Sequence, residues 1–423
     1  MSVGPLRREG FLTSLTWLGA SEGVLRVLRI LTTLVLARLL VPEAYGVAAI
    51  AVTVHELVFV LARNGLSIRL IQCDEARLHR VVYVAYRLNL VAGVGLFCLQ
   101  AASARPIALH FDDARLGPMV ASLAIVHLIA PLSFVPYSLL QRTQRLKELA
   151  VANLATVACD NLLTVLLAFG GAGPWALILP KLLVAPLWTY LLLRAFPYRP
   201  PPLDRGALPW RETALFGIPV LGTEVAKAAR GHLDYLLVGH FLGLEALGLY
   251  FFAYNAGLGV SSALIRAFST AVLPHLCSGD GSTVRRLHRS YRTILRIAVP
   301  LVVLQSAAAP LYVPLLFGDR WREAVPVLVL ICLSAVPRIL EEGSSQLLRA
   351  QGLPRLDFWW NFAFSAFVLL SVWVGLSGGT TGVGWAVLLS HLVALPWVSV
   401  WVAKVCDRPS TASAPKECLH GVA

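Results

Sequence analysis

Charged side chains interrupt long segments of this chain that are otherwise apolar. A charge at the centre of a bilayer costs roughly 2.5–3.5 kcal/mol on insertion scales, so such residues face a cavity or an oppositely charged partner. The basic residues that could bind an anionic group inside the membrane are Arg26, Arg29, Arg63, Lys181, Lys227, Arg230 and Arg266. The acidic residues that could support them, or bind a coupling ion, are Glu22, Glu56, Asp160, Glu224 and Asp234.

Helical spacing predicts local ion pairs for some of these charges. Arg230 and Asp234 lie four residues apart, and Arg338 precedes Glu341 and Glu342 by three and four residues. Residues at these spacings are neighbours on one helix face. The same spacing applies to Glu22 with Arg26 and to Glu224 with Lys227. One interpretation is therefore simple neutralisation that allows a charged helix to insert.

Other cations have no close partner of opposite sign in the sequence. These are Arg29, Arg63, Lys181 and Arg266. They support a second hypothesis, a hydrated cavity with an electropositive wall in the first half of the chain, because guanidinium groups form bidentate bonds with phosphate oxygens. Asp160 is isolated and could bind a coupling ion. The histidines His55, His127, His232, His240 and His391 are more typical of hydrogen-bonded packing than of a proton relay.

The elements that position these residues are predicted to be transmembrane helices. Of 423 residues, 57% are hydrophobic and 14% are charged, whereas soluble domains have about 25% charged residues. A span takes about 20 residues, so the length predicts about twelve crossings of an all-α polytopic membrane protein. The predicted spans are 11–40, 45–71, 81–104, 117–140, 147–169, 174–196, 213–242, 247–276, 290–316, 324–349, 355–377 and 382–404.

Basic residues in the connections predict the orientation. Most of them fall on alternate connections, and only a few fall on the opposite set, namely Arg38, Arg105, Arg115, Arg320 and Arg322. The positive-inside rule then places both termini in the cytoplasm of a multi-pass inner-membrane protein. The same rule explains the net charge of +13 without a nucleic-acid partner.

An internal repeat divides the chain into two halves. Residues 39–47 align without gaps to residues 241–249, with Gly46 matching Gly248. We predict an N-terminal six-helix lobe over 1–196, a Pro-rich cytoplasmic linker over 197–212, a C-terminal six-helix lobe over 213–404 and a cytoplasmic tail over 405–423. Two such lobes related by an axis along the membrane normal are typical of transporters.

Enzymatic motifs are missing from the sequence. We find neither a Walker motif nor G-x-G-x-x-G, a nucleophile elbow or a metal-ligand cluster. The seven cysteines include no C-x-x-C pair. We therefore expect no catalytic residues, no cofactor and no metal site.

Several motifs resemble one family of exporters. The residues Leu-Ala-Arg-Leu-Leu-Val-Pro-Glu-Ala-Tyr-Gly (36–46) and Asn-Gly-Leu-Ser-Ile-Arg-Leu-Ile-Gln (64–72) are similar to the opening of Wzx-type polysaccharide flippases of the MOP, or MATE-like, superfamily. Residues 232–250 and 317–328 resemble later parts of that family. The resemblance implies that the chain moves undecaprenyl-pyrophosphate-linked oligosaccharides from the cytoplasmic to the periplasmic leaflet, for lipopolysaccharide or exopolysaccharide synthesis, by alternating access.

The implied partners are the bilayer, the lipid-linked oligosaccharide, and the polymerase and glycosyltransferases of the same pathway. Three alternatives stay open at this point. They are a multidrug or cation antiporter of the same superfamily, a lipid II flippase, and a membrane glycosyltransferase or polymerase. The excess of cations in the first half disfavours the cation antiporter, the length disfavours a lipid II flippase with extra spans, and the short external connections disfavour the enzyme.

Overall fold

The computed structural model describes residues 11–62, 70, 75–143, 145–197, 210–277, 282–351 and 353–407. Across these residues the chain is almost entirely helical and contains no strand. The α-helices are α1 Phe11–Leu39, α2 Pro42–Phe59, α3 Glu75–His110, α4 Leu116–Ala124, α5 Val126–Arg142, α6 Leu146–Phe169, α7 Leu179–Ala195, α8 Trp210–Leu242, α9 Leu244–Cys277, α10 Thr283–Tyr312, α11 Val325–Ala350, α12 Pro354–Gly375 and α13 Gly379–Cys406. Short 3₁₀ or π turns follow or precede some of them at Val60–Ala62, Gly173–Leu177, Val313–Phe317, Asp319–Ala324 and Leu376–Gly378.

The predicted all-helical class is confirmed. Each predicted span overlaps a described helix, although the span predicted at 45–71 extends into residues outside the described ranges. The helices α4 and α5, which meet at Ile125, share the span predicted at 117–140. Within the described ranges, 8 helical stretches are long and apolar enough to cross a membrane. The chain is therefore a multi-pass membrane protein, and the count of twelve crossings stays a prediction.

The first compact unit contains Met1–Leu40 and Val47–Ala228. In it, α3 packs against α4 and α5, while α6 packs against α1 and α7. The approach of α3 to α5 is very close at Gly93, where a Cβ atom would lie 2.5 Å from the carbonyl oxygen of His127. Val82 and Ala85 of α3 form an apolar cluster with Val135 of α5. This packing holds α5 against the middle of α3.

The second compact unit contains Val41–Gly46 and Ala229–Ala423. Its central helix is α11, which packs against α9, α10 and α13. Trp321, just before α11, is fully buried and stacks on Phe252 of α9 with ring centroids 4.2 Å apart. The central position of α11 explains why its polar residues find partners on several helices.

The repeated segments contact each other reciprocally. Gly46 and Gly248 are equivalent at an offset of 202 residues, as are Pro42 and Leu244. A Cβ atom on Gly46 would lie 1.8 Å from the Leu244 carbonyl oxygen, and one on Gly248 would lie 1.8 Å from the Pro42 carbonyl oxygen. Gly46 thus contacts the equivalent of Pro42, and the equivalent of Gly46 contacts Pro42 itself. Such a reciprocal pair of contacts is the mark of a two-fold relationship. The beginnings of α2 and α9 are thus locally pseudo-symmetric.

The boundary between the units lies inside a helix. It falls between Ala228 and Ala229, in α8. The linker predicted at 197–212 lies before this helix, and residues 198–209 are outside the described ranges. Residues 408–423 of the predicted tail are also outside them. The lobe boundaries 1–196 and 213–404 therefore stay a prediction.

Candidate functional site

Arg230 is neutralised by an ion pair within the second unit. Its guanidinium group pairs with the Glu341 carboxylate of α11, and both side chains are 11% exposed. The same group donates to Ser365 Oγ at 3.3 Å and lies 4.8 Å from the ring centroid of Phe364. Arg230 thus connects α8 to both α11 and α12, and its charge is already satisfied.

Asp234 does not pair with Arg230, so that expected ion pair is wrong. Asp234 is 2% exposed and its carboxylate accepts hydrogen bonds from the Tyr250 hydroxyl at 2.9 Å and from the Tyr235 amide at 2.9 Å. Asp234 follows Arg230 by four residues on α8, but its hydrogen bonds come from the Tyr250 phenol of α9 and from the Tyr235 backbone amide. Helical spacing alone could not reveal this donor.

Arg338 forms no ion pair with Glu341 or Glu342 among the described residues, although the Glu341 carboxylate interacts with it electrostatically. Arg338 donates to the Tyr254 hydroxyl at 2.5 Å, and its guanidinium carbon lies 5.5 Å from the centre of that ring. Glu341 is instead bound by Arg230. Because α11 is surrounded by other helices, partners on those helices replace neighbours on the same helix.

Glu342 completes the polar network of α11. It accepts a hydrogen bond from Ser269 Oγ at 2.5 Å and another from Gln346 Nε2 at 2.8 Å. The Gln346 amide also donates to Ser269 Oγ at 3.0 Å. Carboxylates in an apolar unit need several donors, and this one is served by hydroxyl and amide groups.

The first unit contains a buried group that we call the paired-histidine cluster, made of His55, Phe59, Gln100 and His127. Their elements are α2, α3 and α5. Gln100 is 0%, His127 1% and His55 5% exposed. The Gln100 Oε1 atom lies 3.2 Å from His55 Nδ1 and 2.7 Å from His127 Nε2. The imidazole centroids are 5.0 Å apart, and Phe59 packs against both rings.

Two charged side chains act on this cluster. The Glu56 carboxylate and the Lys181 ammonium both interact electrostatically with His55, with opposite signs. Both are half-buried, on α2 and α7. Neither forms an ion pair with any residue that the structure describes. Because their charges have opposite signs, Glu56 and Lys181 together contribute almost no net charge to the surroundings of the cluster.

The remaining predicted cations of the first unit occupy several helices. On α1, Arg26 is half-buried and Arg29 is exposed. Lys227 of α8 is half-buried and has no ion-pair partner within the described part of the chain. Asp160, on α6, is half-buried and likewise has no ion pair to a described residue. The helix α6, which carries Asp160, packs against α1 and α7, the helices that carry Arg26 and Lys181.

The structure describes no side chain for three of the predicted site residues, and for a fourth it gives only the helix and the burial. Arg63 lies outside the described ranges. Glu22 lies on α1 and Arg266 on α9, without a described side chain. Glu224 is half-buried on α8. Assembly of the predicted residues into one electropositive cavity thus stays a prediction.

A charged turn outside the spans joins α3 to α4. The Asp113 carboxylate accepts bonds from the Arg115 amide at 2.8 Å and from its guanidinium Nη2 at 2.7 Å. These side-chain hydrogen bonds lower the pKa of Asp113 below its usual value, although partial burial acts in the opposite direction. The turn is therefore ion-paired at neutral pH.

The family of the chain follows from a comparison with family models. The model described as "Polysaccharide biosynthesis protein" matches residues 35–326. The chain belongs to this polysaccharide biosynthesis family. The matched range contains the paired-histidine cluster and the buried residues Arg230 and Asp234.

Curated relatives of this family member are named for polysaccharide biosynthesis. The chain is 24% identical over 367 residues to the teichuronic acid biosynthesis protein TuaB of Bacillus subtilis, and the alignment covers 81% of this chain and 72% of TuaB. The chain is 29% identical over 348 residues to the succinoglycan biosynthesis transport protein ExoT of Rhizobium meliloti, and the alignment covers 79% of this chain and 68% of ExoT. It is 21% identical over 396 residues to the lipopolysaccharide biosynthesis protein WzxC of Escherichia coli, covering 91% and 79%.

Solved structures share the fold of this family member. The lipid II flippase MurJ in an inward closed conformation matches with a TM-score of 0.75 and 13% identity, covering 91% of this chain and 87% of MurJ. An inward-facing multidrug resistance MATE transporter of the MOP superfamily matches with a TM-score of 0.66 and 14% identity, covering 90% and 95%. The predicted MATE-like fold and the resemblance to Wzx-type flippases are confirmed. The family and its relatives are transport and biosynthesis proteins, so the chain is a transporter of that class and not an enzyme.

Sequence reasoning missed several members of both polar networks. It named His55 and His127 separately, but not Gln100, which connects them. It also missed Tyr250 and Tyr254, the partners of the buried charges. A lone glutamine in the apolar run of α3 was a usable signal, because a buried amide needs partners. Within the described residues, no group of three His, Cys, Asp or Glu side chains could hold a metal ion.

Proposed function

We propose that the chain translocates undecaprenyl-pyrophosphate-linked oligosaccharide repeat units from the cytoplasmic to the periplasmic leaflet of a bacterial inner membrane. The observation that carries this proposal is the match of the polysaccharide biosynthesis family model to residues 35–326. The likeness to exporter folds supports movement by alternating access, in which a central site opens to either side in turn.

The charges of the first unit support the binding of an anionic lipid headgroup. Lys181 and Lys227 are half-buried cations with no ion-pair partner in the described part of the chain. An unpaired cation in an apolar protein gains most from an anionic ligand, and a pyrophosphate offers many acceptor oxygens. By contrast, Arg230 is occupied by Glu341. We therefore assign headgroup binding to the first-unit lysines, with Arg26 and Arg29 as further contributors.

Reconstituted vesicles can test this assignment. Wild-type protein should render a fluorescent undecaprenyl-pyrophosphate oligosaccharide on the inner leaflet accessible to a reagent added outside. Lys181→Gln and Lys227→Gln should each slow this by at least about tenfold, because losing one charge-assisted contact is worth roughly 1.5–3 kcal/mol. Arg355→Gln is the matched control, since Arg355 is an exposed cation at the beginning of α12. Equal rates in all variants would contradict the assignment of the lysines.

The same vesicles separate the two other transport classes. The fold shared with MurJ supports a lipid-linked substrate in general, so lipid II is the natural competitor in the assay. A MATE-type cation antiporter would instead move a cationic dye. Faster movement of lipid II or of the dye than of the oligosaccharide carrier would contradict the proposed substrate.

The proposed pathway also predicts location and partners. Both termini lie in the cytoplasm, and the substrate arrives from glycosyltransferases there and leaves to a polymerase on the periplasmic side. Deleting the gene should trap lipid-linked oligosaccharide on the cytoplasmic leaflet, where it remains inaccessible to lectins added to spheroplasts.

A further inference from the structure

We propose that α10 carries a binding surface for an anionic phospholipid, at the point where the helix leaves its apolar span. The surface is an arginine stripe, which consists of the exposed residues Arg285, Arg289, Arg292 and Arg296. The proposal goes beyond the proposed function and does not rest on it, because it concerns a lipid of the surrounding bilayer and not the transported substrate.

The spacing of the stripe places all four arginines on one side of α10. They follow one another by four, three and four residues, and residues at these spacings are neighbours on a helix surface. Eleven residues separate the first arginine from the last, which is about three helical turns, so these two are nearly in register. The positive-inside rule depends on the number of cations in a connection and not on the side of a helix that they occupy. It therefore leaves this arrangement unexplained.

None of the four side chains is neutralised by a residue that the structure describes. The helix α10 contains no acidic residue, and the stripe forms no ion pair or side-chain hydrogen bond within the described ranges. Asp407 lies near the beginning of the helix, where its carboxylate accepts from Ser282 Oγ at 3.5 Å. Arg286, outside the stripe, is different because its Nη2 atom donates to the Leu276 carbonyl oxygen at 2.8 Å. The stripe is thus available to an external anion.

The opposite side of this basic segment holds it in place as a helix. Val284, Leu287 and Tyr291 are buried there. The Tyr291 hydroxyl donates to the Leu340 carbonyl oxygen of α11 at 2.9 Å, and its ring stacks on Phe268 of α9 with centroids 5.9 Å apart. A binding surface that is already ordered loses little conformational entropy when its ligand arrives. The stripe is therefore a preformed surface.

The length of α10 places the stripe at a membrane surface. Residues 297–317 contain no charged residue, and at about 1.5 Å per residue they extend about 30 Å, which is the thickness of the hydrocarbon core. Arg296 then lies at the edge of the core, and Arg292 lies about 6 Å farther out, within the headgroup layer. The other two arginines lie beyond that layer and add to the attraction of an anionic surface.

The same side of α10 continues as an exposed apolar surface. Val299 and Val303 follow Arg296 by three and seven residues and are 39% and 53% exposed. Guanidinium groups bind phosphate oxygens in a bidentate manner, and exposed valines suit an acyl chain. A soluble acidic protein would use the arginines and leave the valines uncovered. The combination therefore favours a phospholipid with a negatively charged headgroup, such as phosphatidylglycerol.

Native mass spectrometry of the purified full-length protein can count the lipids that it retains. With phosphatidylglycerol and phosphatidylcholine added in equal amounts, wild type should retain mainly phosphatidylglycerol. The double variant Arg292→Gln/Arg296→Gln should bind phosphatidylglycerol at least about tenfold more weakly, because each arginine near a membrane surface contributes about a fivefold factor. Its binding of phosphatidylcholine should not change. If this variant does not fold, as judged by size-exclusion chromatography, Arg289→Gln/Arg292→Gln replaces it.

The matched control is Arg322→Gln/Arg355→Gln. It removes the same charge from two exposed positions outside α10 and should retain phosphatidylglycerol as wild type does. An equal loss in both double variants would show that net charge alone determines binding and would overturn the stripe. Unchanged binding in Arg292→Gln/Arg296→Gln, or equal retention of both lipids by wild type, would overturn the proposal as well.

Competition experiments test the choice of a bilayer phospholipid as the ligand. Glycerol phosphate, which has no acyl chain, and a polyglutamate peptide should each fail to displace phosphatidylglycerol at equal concentration. Displacement by the peptide would favour an acidic protein instead. Displacement by an equal amount of undecaprenyl pyrophosphate, dependent on the same arginines, would reassign the stripe to the transported substrate. Either result would overturn the assignment to phospholipid. Translocation is not measured, so failure of the proposed function would leave the outcome unaffected.

Discussion

At the scale of single residues, Arg230 and Glu341 are buried charges that depend on each other. Removing one partner of a buried ion pair leaves the other uncompensated and costs about 3–5 kcal/mol, whereas replacing both with apolar groups is often nearly neutral. We expect Arg230→Met or Glu341→Leu alone to lower the thermal unfolding temperature in detergent sharply. The double variant should recover most of the loss. A double variant as unstable as the worse single one would contradict this role.

Asp113 provides a pH dependence outside the membrane spans. Its hydrogen bonds with Arg115 lower the pKa of Asp113 in the folded state, so its stabilising effect is complete above the usual Asp pKa and disappears as the pH falls through the lowered value. Because the Arg115 side chain is 47% exposed, the effect should stay under about 1 kcal/mol. Unfolding of wild type and Asp113→Asn should differ at pH 6 and converge near about pH 2. A difference that grows in acid would contradict this sign.

At the residue scale, the sequence could predict which charges are buried but not what binds them. Arg230 and Asp234 stood out because charges are rare in apolar spans. Their partners come from other helices, at separations of 111 and 16 residues. Helical spacing reports only neighbours on the same helix. The network around α11 therefore required the tertiary structure.

At the scale of helices, the contact between the beginnings of α2 and α9 depends on two glycines. A methyl group on Gly46 or Gly248 would overlap a backbone carbonyl oxygen, which cannot rotate away. Gly46→Ala and Gly248→Ala should each cost at least about 1–3 kcal/mol of unfolding free energy, as overpacking does. Gly95→Ala on α3 is the control, because nothing lies within 4 Å of its Cβ position. The unfolding free energies of the three variants should be measured in detergent. A Gly46→Ala protein as stable as wild type would contradict the contact between α2 and α9.

Helix positions were predictable because the length of an apolar run and its flanking breakers define a span. The largest discrepancies are at helix beginnings. We predicted a span from 290, whereas α10 begins at Thr283, where the Ser282 hydroxyl accepts a bond from the Arg285 amide. Its first turns are basic and amphipathic and extend beyond the apolar run. An apolar window detects the spanning part of a helix and misses such extensions.

At the scale of the whole molecule, the repeat and the distribution of basic residues predict the same topology. Two predicted lobes of six spans, related by an upright axis, would place both termini on one side, and the positive-inside rule predicts that this side is the cytoplasm. A reporter that is active only in the cytoplasm should therefore work when fused to either terminus, and a periplasm-specific reporter should not.

Insertion of a small tag at the Asp113–Arg115 turn is the complementary test, because this connection is predicted to be periplasmic. The tag should be accessible to an impermeant antibody in spheroplasts, whereas a tag in the basic connection before α10 should become accessible only after lysis. Termini on opposite sides would mean an odd number of crossings. That outcome would contradict the predicted arrangement of two lobes with six spans each.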